Sequence, residues 1–213
     1  MFPGYIEAVN LPVIPLGKPR AERADAARNR ELLLAAARAM IAEDGVENVT
    51  MDALAERAGV GKGTVFRRFG SRAGIFRALL DDSEFRFQER VLSGPPPLGP
   101  GAPPRERIIA YGRLRTEFLE EHLVIARAAM DFTRPAPGGT VSMTVPHLRM
   151  LLAAVPEPPP DPDGMAVLLT GALEGPLILH LTSGGRAAAP VDPGGCHPLA
   201  HGWQVLIERL LGP

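Results

Sequence analysis

Apolar residues recur along this chain at helical spacing, and clusters of proline and glycine cut the pattern into segments. Leu33, Leu34, Ala37, Met40 and Ile41 fall at i, i+1, i+4, i+7 and i+8. That spacing predicts one buried helical stripe from about Asp25 to Asp44, with Gly45 suited to the position just past its end. Thr50 is placed to cap a short helix carrying Met51, Leu54, Ala55 and Ala58, which Gly59 closes. After a Gly59-Val60-Gly61 turn, a helix is expected from Lys62 to about Phe69, followed by Gly70. Ser71 can cap the next, with Ile75, Phe76, Leu79 and Leu80 on its apolar side and an end near Val91. The stretch GPPPLGPGAPP (94–104) is too rich in proline and glycine for a helix and predicts a loop or semi-rigid linker.

The second half repeats the pattern. Pro104 is well placed to start a helix running to about Glu121, followed by a shorter one over Leu123–Phe132. Another is expected over Val141–Val155, interrupted by Pro146; PEPPPDPDG (156–164) then breaks the chain. Met165–Thr182 is apolar nearly all round apart from Glu174, and Gly175-Pro176 is expected to kink it. A last amphipathic helix spans about Leu199–Leu211. No sustained alternation of period two and no Asn-Gly or Asp-Gly hairpin turn competes with this reading. An all-α chain is expected.

Charge changes the picture once it is resolved along the sequence. The 213 residues carry 23 Lys+Arg against 24 Asp+Glu, and only Lys18 and Lys62 of the basic residues are lysines. A neutral total excludes a wholesale polyanion binder but not a local basic face. Between Arg57 and Arg77 stand six basic residues and no acidic one, so a +6 island sits within a −7 remainder. The island coincides with a helix, a short glycine turn and a second helix, the layout of a helix-turn-helix whose second helix enters the major groove of DNA. On that second helix Val65 and Phe69 share a face that reads as core, while Lys62, Phe66 and Arg67 lie elsewhere. Lys62 or Arg67 can pair with guanine O6/N7, and Thr64 with a base or a phosphate. Gly63 offers no obstacle to a closely approaching phosphate, and Arg68 and Arg72 suit backbone charge. With Thr50 at the start of the first helix, these form the candidate DNA-contacting set.

ERAGVGKGT (56–64) also imitates the phosphate loop of adenylate-kinase-like enzymes. Glu56 stands where that loop needs its first glycine, and an amphipathic helix precedes it rather than a buried strand.

The segment LLLAAARAMIAEDGVENVTMDALAERAGVGKGTVFRRFGSRAGIFRALL resembles the DNA-binding domain of TetR-type transcriptional regulators. The matching features are the leucine-alanine stripe at 33–37, Gly45, Thr50, Leu54-Ala55, Ala58-Gly59-Val60, Gly63-Thr64, Phe66, Phe69 and Ser71-Arg72. Three positions depart from what the family usually carries. Gly61 replaces a serine or similar polar residue, Phe66 a tyrosine, and Arg68 a histidine. Without the tyrosine hydroxyl and with a permanent charge at Arg68, a steeper salt dependence of DNA binding is expected.

The resemblance implies a regulator with an arm at 1–24, a DNA-binding domain at 25–82 (helix-turn-helix about 50–69), and a helical regulatory and dimerisation domain at 83–213. Its partners would be a pseudo-palindromic double-stranded operator, a second copy of the chain and a small-molecule effector that releases the repressor. A ligand cavity would lie within 104–155, with Tyr111, Arg115, Phe118, Met130, Phe132, Met143, His147 and Met150 as candidate lining. Arg115 or His147 inside it would favour an anionic ligand. A dimer interface would draw on the last two helices, through Leu173, Leu177, Leu181, Trp203, Leu206 and Leu210.

Other chemistry finds little support. Cys196-His197 and His201 are interrupted by Pro198 and read as a loop, so no metal is expected. A single cysteine excludes an internal disulfide, no hydrolase motif is present, and no cofactor is expected. The absence of a basic-apolar leader and of an apolar run near 18 residues predicts a cytoplasmic protein without a membrane span. Two alternatives remain: a DNA-binding architectural protein that ignores effectors, and a nucleotide-binding enzyme built on 56–64.

Overall fold

The computed structural model describes residues 20–130, 142–182 and 198–212; the side chains of 20–26, His180 and Thr182 are left aside. Among these residues the chain is all-helical: α1 (Arg20–Asp44), a 3-10 turn (Val46–Asn48), α2 (Met51–Arg57), α3 (Lys62–Phe69), α4 (Arg72–Ser93), α5 (Pro104–Glu121), α6 (Leu123–Ala129), α7 (Thr144–Leu152), α8 (Pro162–Thr182) and α9 (Pro198–Leu211). The first helix begins at Arg20, five residues before the apolar stripe suggested, so Arg20 and Arg23 lie on it. Residues 1–19, Phe132, Val141, Cys196 and His197 fall outside the described residues.

Two apolar cores follow from the helical faces. Leu33, Leu34, Ala37 and Met40 of α1 meet Leu54 and Ala55 of α2, Val65 of α3, and Ile75, Phe76 and Leu79 of α4. The far half of α4, through Phe87 and Val91, belongs to the second core with Tyr111, Leu148, Leu152, Leu169, Leu173, Trp203 and Ile207. α4 is therefore common to both. Asp82 on α4 takes Arg30 and Arg38 from α1 as well as Arg86 from its own helix, which ties the first helix to the shared one.

Local chemistry explains the helix ends. The Thr50 hydroxyl accepts from the Ala53 amide at 3.1 Å, and the Ser71 hydroxyl accepts from Gly74 at 3.1 Å. At the end of α2, Gly59 takes φ +64° while Val60 N–H donates to Ala55 and Gly59 N–H to Glu56. These two bonds form a Schellman closure, which sets the angle at which the chain enters α3. Asp161 caps α8 through the Gly164 amide at 2.9 Å, and Pro162 supplies the first helical residue.

Three expectations change. Pro146 does not interrupt α7, because it sits in the first turn, where its missing amide would have no intrahelical partner. α8 starts at Pro162 instead of Met165 and continues as helix through Pro176 to Thr182. The proline-rich segment after α4 is not a bare spacer. Leu98 packs on the second core, and its carbonyl accepts from Arg107 Nε at 3.4 Å.

Candidate functional site

On α3 the apolar and basic residues separate by helical phase. Val65 is fully buried in the first core and Phe69 packs partly against it, so the helix is anchored from one side. Lys62, Gly63, Phe66, Arg67 and Arg68 are exposed and Thr64 is half-buried. Phe66 is 64% exposed on the same side as these basic residues. Arg67 reaches the Thr64 hydroxyl at 3.5 Å, a long contact that leaves its guanidinium at the surface. Lys62 Nζ lies 2.8 Å from the Asp52 carboxylate, and both side chains are mostly exposed. Such a surface pair is worth little and exchanges readily for another anion.

The +6 island resolves into two groups. Arg57 pairs with Glu43 at 2.6 and 2.7 Å, and Arg77 donates to the Ala129 carbonyl at 3.4 Å. Arg72 is turned inward. Its Nε donates to the Val49 carbonyl at 2.7 Å, its Nη2 to Val46 at 2.6 Å, and its guanidinium lies 5.0 Å from the Phe76 ring centre. Arg72 thus holds the turn that presents Thr50, while its side chain stays partly exposed. Thr50 is exposed, with its hydroxyl oxygen engaged as a helix cap. The basic face presented outward is that of Lys62, Arg67 and Arg68 on α3.

Gly61 and Gly63 sit at the start of this helix, and a Cβ at either would meet open space. Gly63→Ala is therefore expected to raise stability by about 0.5–1 kcal/mol, since alanine is the better helix former. If Gly63 exists to admit a DNA phosphate, the same change lowers duplex affinity. Paired urea and duplex titrations check this, and a stabilised variant with undiminished DNA affinity would remove Gly63 from the contact set.

The 56–64 segment is not a phosphate loop. It consists of the end of α2, a Schellman turn and the start of α3, with no strand leading into it.

The second notable site is a buried polar cluster in the other core. Arg115, only 5% exposed, bonds Glu84 Oε2 at 2.6 Å and Glu174 Oε1 at 3.1 Å. Its guanidinium lies 5.3 Å from the Phe87 ring centre and 5.2 Å from that of Phe118. The Thr144 hydroxyl accepts from Tyr111 at 2.8 Å, and Ser142 and Thr144 both approach Glu174 Oε1. Tyr111 stacks on His147 with ring centres 4.8 Å apart, and Met143 packs nearby on the same core. Glu84 Oε1, Arg115 Nε and His147 Nε2 are buried without hydrogen-bond partners.

Of the candidate ligand-lining residues, Tyr111, Arg115, Phe118, Met143 and His147 are thus brought to one core. Met130 and Met150 are not; Met130, just past the end of α6, and Met150, on α7, are both exposed. Sequence reasoning missed Glu84, Ser142 and Thr144. Glu84 sits in the acidic run Asp81-Asp82-Ser83-Glu84, which reads as a solvated face. Glu174 had the one available signal, as the lone acid on an apolar helix.

Burial and charge set the state of the cluster. Burial pushes the Tyr111 hydroxyl up to about 12, against the opposing bond to Thr144. Burial lowers the Arg115 guanidinium, but the adjacent Glu84 and Glu174 carboxylates outweigh it and leave the group above its ordinary range. Burial, and then the charge of Arg107, push the His147 imidazole down to about 4. The anionic preference expected from Arg115 and His147 finds no support, because Arg115 is already met by two carboxylates and His147 is neutral. The His147 shift also has a sign. The unfolded chain takes up a proton near 6.5 that the folded chain refuses until about 4. Stability should therefore fall as pH drops through that window and stay level above it. His147→Leu should flatten the decline between pH 7 and 5 in urea midpoints, and an equally acid-sensitive variant would contradict the assignment.

The proposed dimer residues divide likewise. Leu173 and Trp203 belong to the chain's own core, where the indole Nε1 donates to the Ile108 carbonyl at 3.0 Å. Leu177, Leu181 and Leu210 are half-buried, and Leu206 is exposed. The outward apolar face of α8 carries Val167, Leu168, Ile178 and Leu179, and that of α9 carries Val205 and Leu206. Among the described residues no group of acids, histidines or cysteines has metal-site geometry, and no helix is long and apolar enough to cross a membrane.

Residues 33–79 match the family model for bacterial regulatory proteins of the tetR family. Over 73 residues the chain is 33% identical to the HTH-type transcriptional repressor BepR of Brucella suis biovar 1 (strain 1330). That match spans 34% of this chain and 35% of the repressor's length. The fold is similar to a TetR transcriptional regulator from Rhodococcus sp. RHA1, with a TM-score of 0.51 at 21% identity over 91% of this chain and 100% of that one. It is also similar to a TetR variant from Acinetobacter baumannii AYE in complex with minocycline, with a TM-score of 0.54 at 19% identity over 85% of this chain and 97% of that one. Residues 33–79 thus carry a domain that matches the tetR family of bacterial regulatory proteins, within an all-helical fold similar to those two solved structures.

Proposed function

We propose that the chain is a homodimeric repressor that reads a pseudo-palindromic operator with α3 and leaves it when a small molecule binds the C-terminal half. The observation that carries the reading is the phase of α3. Val65 anchors it to the core while Lys62, Phe66, Arg67 and Arg68 stand on the exposed side. One such helix makes few contacts, so a second copy is needed to give affinity and to read two half-sites. The outward apolar faces of α8 and α9 suit that second copy, since exposed leucine, isoleucine and valine on these helices favour burial in a four-helix arrangement. The division into residues 25–82 for DNA and 83–213 for regulation and dimerisation fits the two cores, with α4 running through both.

Release requires a mechanical link, and α6 supplies one. Ala129 is buried in the first core with Ile125 and Ala128 against it, and its carbonyl takes the Arg77 side chain. The same helix touches α5 and α8 of the regulatory core. An effector that shifts α5 or α8 is thereby coupled to α4 and the DNA-binding helices, as a population shift between two arrangements. A cytoplasmic location goes with this reading.

Sedimentation equilibrium of the wild type and of Leu168→Glu with Leu206→Glu tests it, followed by titration against a duplex enriched by the wild-type protein. A dimer that becomes monomer, with duplex affinity falling at least about 100-fold in parallel, is expected. A monomeric wild type, or a dissociated variant that binds DNA undiminished, would contradict the reading.

A further inference from the structure

The buried cluster has more negative than positive charge. Glu84 and Glu174 face a single Arg115, and the neutral His147 adds nothing, so three contacting charges sum to −1 in the interior of a helical core. One carboxylate oxygen and one guanidinium nitrogen are left over: Glu84 Oε2 holds Arg115, while Glu84 Oε1 and Arg115 Nε are each buried with no partner. A carboxylate oxygen without a hydrogen bond is costly to bury, and its presence marks an interaction the chain alone does not complete.

The surroundings say what would complete it. The Arg115 guanidinium is bracketed by two carboxylates and lies within cation–π range of the Phe87 and Phe118 rings. Carboxylates combined with aromatic faces are what recognises an alkylammonium, amidinium or guanidinium on an apolar body. The cage is thus matched to an organic cation and is presently filled by the chain's own. An anion is disfavoured there, because two carboxylates already face the one guanidinium, although its Nε has no hydrogen-bond partner. Glu174 gives the cluster its outlet, with its side chain 27% exposed while that of Arg115 is 6% exposed.

We infer that the effector of this regulator is an organic cation, an amine or amidinium on an apolar body, which competes with the Arg115 guanidinium for Glu84 and Glu174. The inference rests on the release reading given above and sharpens it to a ligand class. The cage bears directly on the shared helix: Glu84 and Phe87 lie on α4, whose other half packs Phe76 and Leu79 in the DNA-binding core. A cation that rearranges Glu84 therefore acts on the element both cores hold in common.

Benzamidine, protonated at neutral pH, serves as the probe, with benzamide and benzoate as neutral and anionic controls of the same shape. Each is titrated calorimetrically into the full-length wild type, Arg115→Met, Glu84→Gln and Glu174→Gln, with circular dichroism confirming that each variant is folded. Benzamidine alone is expected to bind the wild type. Its affinity should rise at least about tenfold in Arg115→Met, where the competitor is removed, and fall at least about tenfold in each glutamine variant. Should Glu84→Gln fail to fold, Glu174→Gln still decides, since its site is partly exposed. Equal binding of benzoate or benzamide, wild-type affinity in the glutamine variants, or no benzamidine binding to both wild type and Arg115→Met would overturn the inference. A parallel titration of the protein–duplex complex separates the two ideas. Benzamidine that binds the cage and leaves the duplex bound supports the cage and sinks release; release by an anion while benzamidine is ignored does the reverse.

Discussion

A Lys62→Ala, Arg67→Ala double variant is expected to lose at least about 100-fold in affinity for an operator duplex while remaining a folded dimer. Each base or phosphate contact of this kind is worth about 1–3 kcal/mol, and a dimer loses both residues twice. Lys62→Ala has a second effect, because it leaves the Asp52 carboxylate, now 2.8 Å from the lysine, uncompensated beside the DNA. Stability should hardly move, since the anchor of α3 is the fully buried Val65 and both replaced side chains are exposed. The dependence of binding on salt should also become shallower, as fewer counterions are displaced. Fluorescence anisotropy at two salt concentrations reads both quantities. Unchanged affinity with an intact dimer would move the reading surface away from α3.

Removing Arg115 is expected to have the largest effect on stability. Arg115→Met keeps the length and apolar stem of the side chain but abandons Glu84 and Glu174 at once. Breaking a buried pair by deleting one partner costs about 3–5 kcal/mol, because the remaining charge keeps its desolvation penalty. For a chain of this size that corresponds to a fall in Tm of roughly 10 °C. The cause is the abandoned carboxylates, so adding Glu84→Gln to Arg115→Met should recover a substantial part of the loss. Thermal denaturation of the two variants checks this. A double variant as damaged as the sum of the singles would show that packing of the guanidinium on Phe87 and Phe118, and not charge, dominates the site.

The parts of this protein that were legible in its sequence are those set by short-range chemistry. Thr50 and Ser71 read as caps because a hydroxyl three residues before an amide satisfies it whatever the rest of the fold does. Gly59 read as a helix end because only glycine takes a positive φ there without strain. Val65 and Phe69 read as core from their separation of four residues. The destinations of long, charged side chains were not legible. Arg72 looked like a phosphate ligand in a run of arginines, yet its partners are carbonyls 23 and 26 residues earlier in the sequence. The destination of Glu84 was equally hidden, because Arg115, 31 residues away, meets it only through the packing of α5 on the shared helix. On α8, apolar on nearly every side, periodicity held no phase information. Leu173 was therefore assigned to a partner chain, although it fills the chain's own core with Trp203 of α9, and Val167 and Leu168 were overlooked. Pro146 was read as an interruption, but it falls in the first turn, where the helix lacks amide partners anyway.

The central claim, that two copies of this chain read DNA through α3, meets its most direct test in selection of duplexes from a random library by the wild-type protein, followed by the stoichiometry of the enriched complex. The expected result is an inverted repeat whose half-site centres lie about one helical turn or a whole multiple of it apart, bound by chains in twos and lost when either half-site is scrambled. Enrichment of no sequence, or of a single half-site bound by one chain, would contradict it.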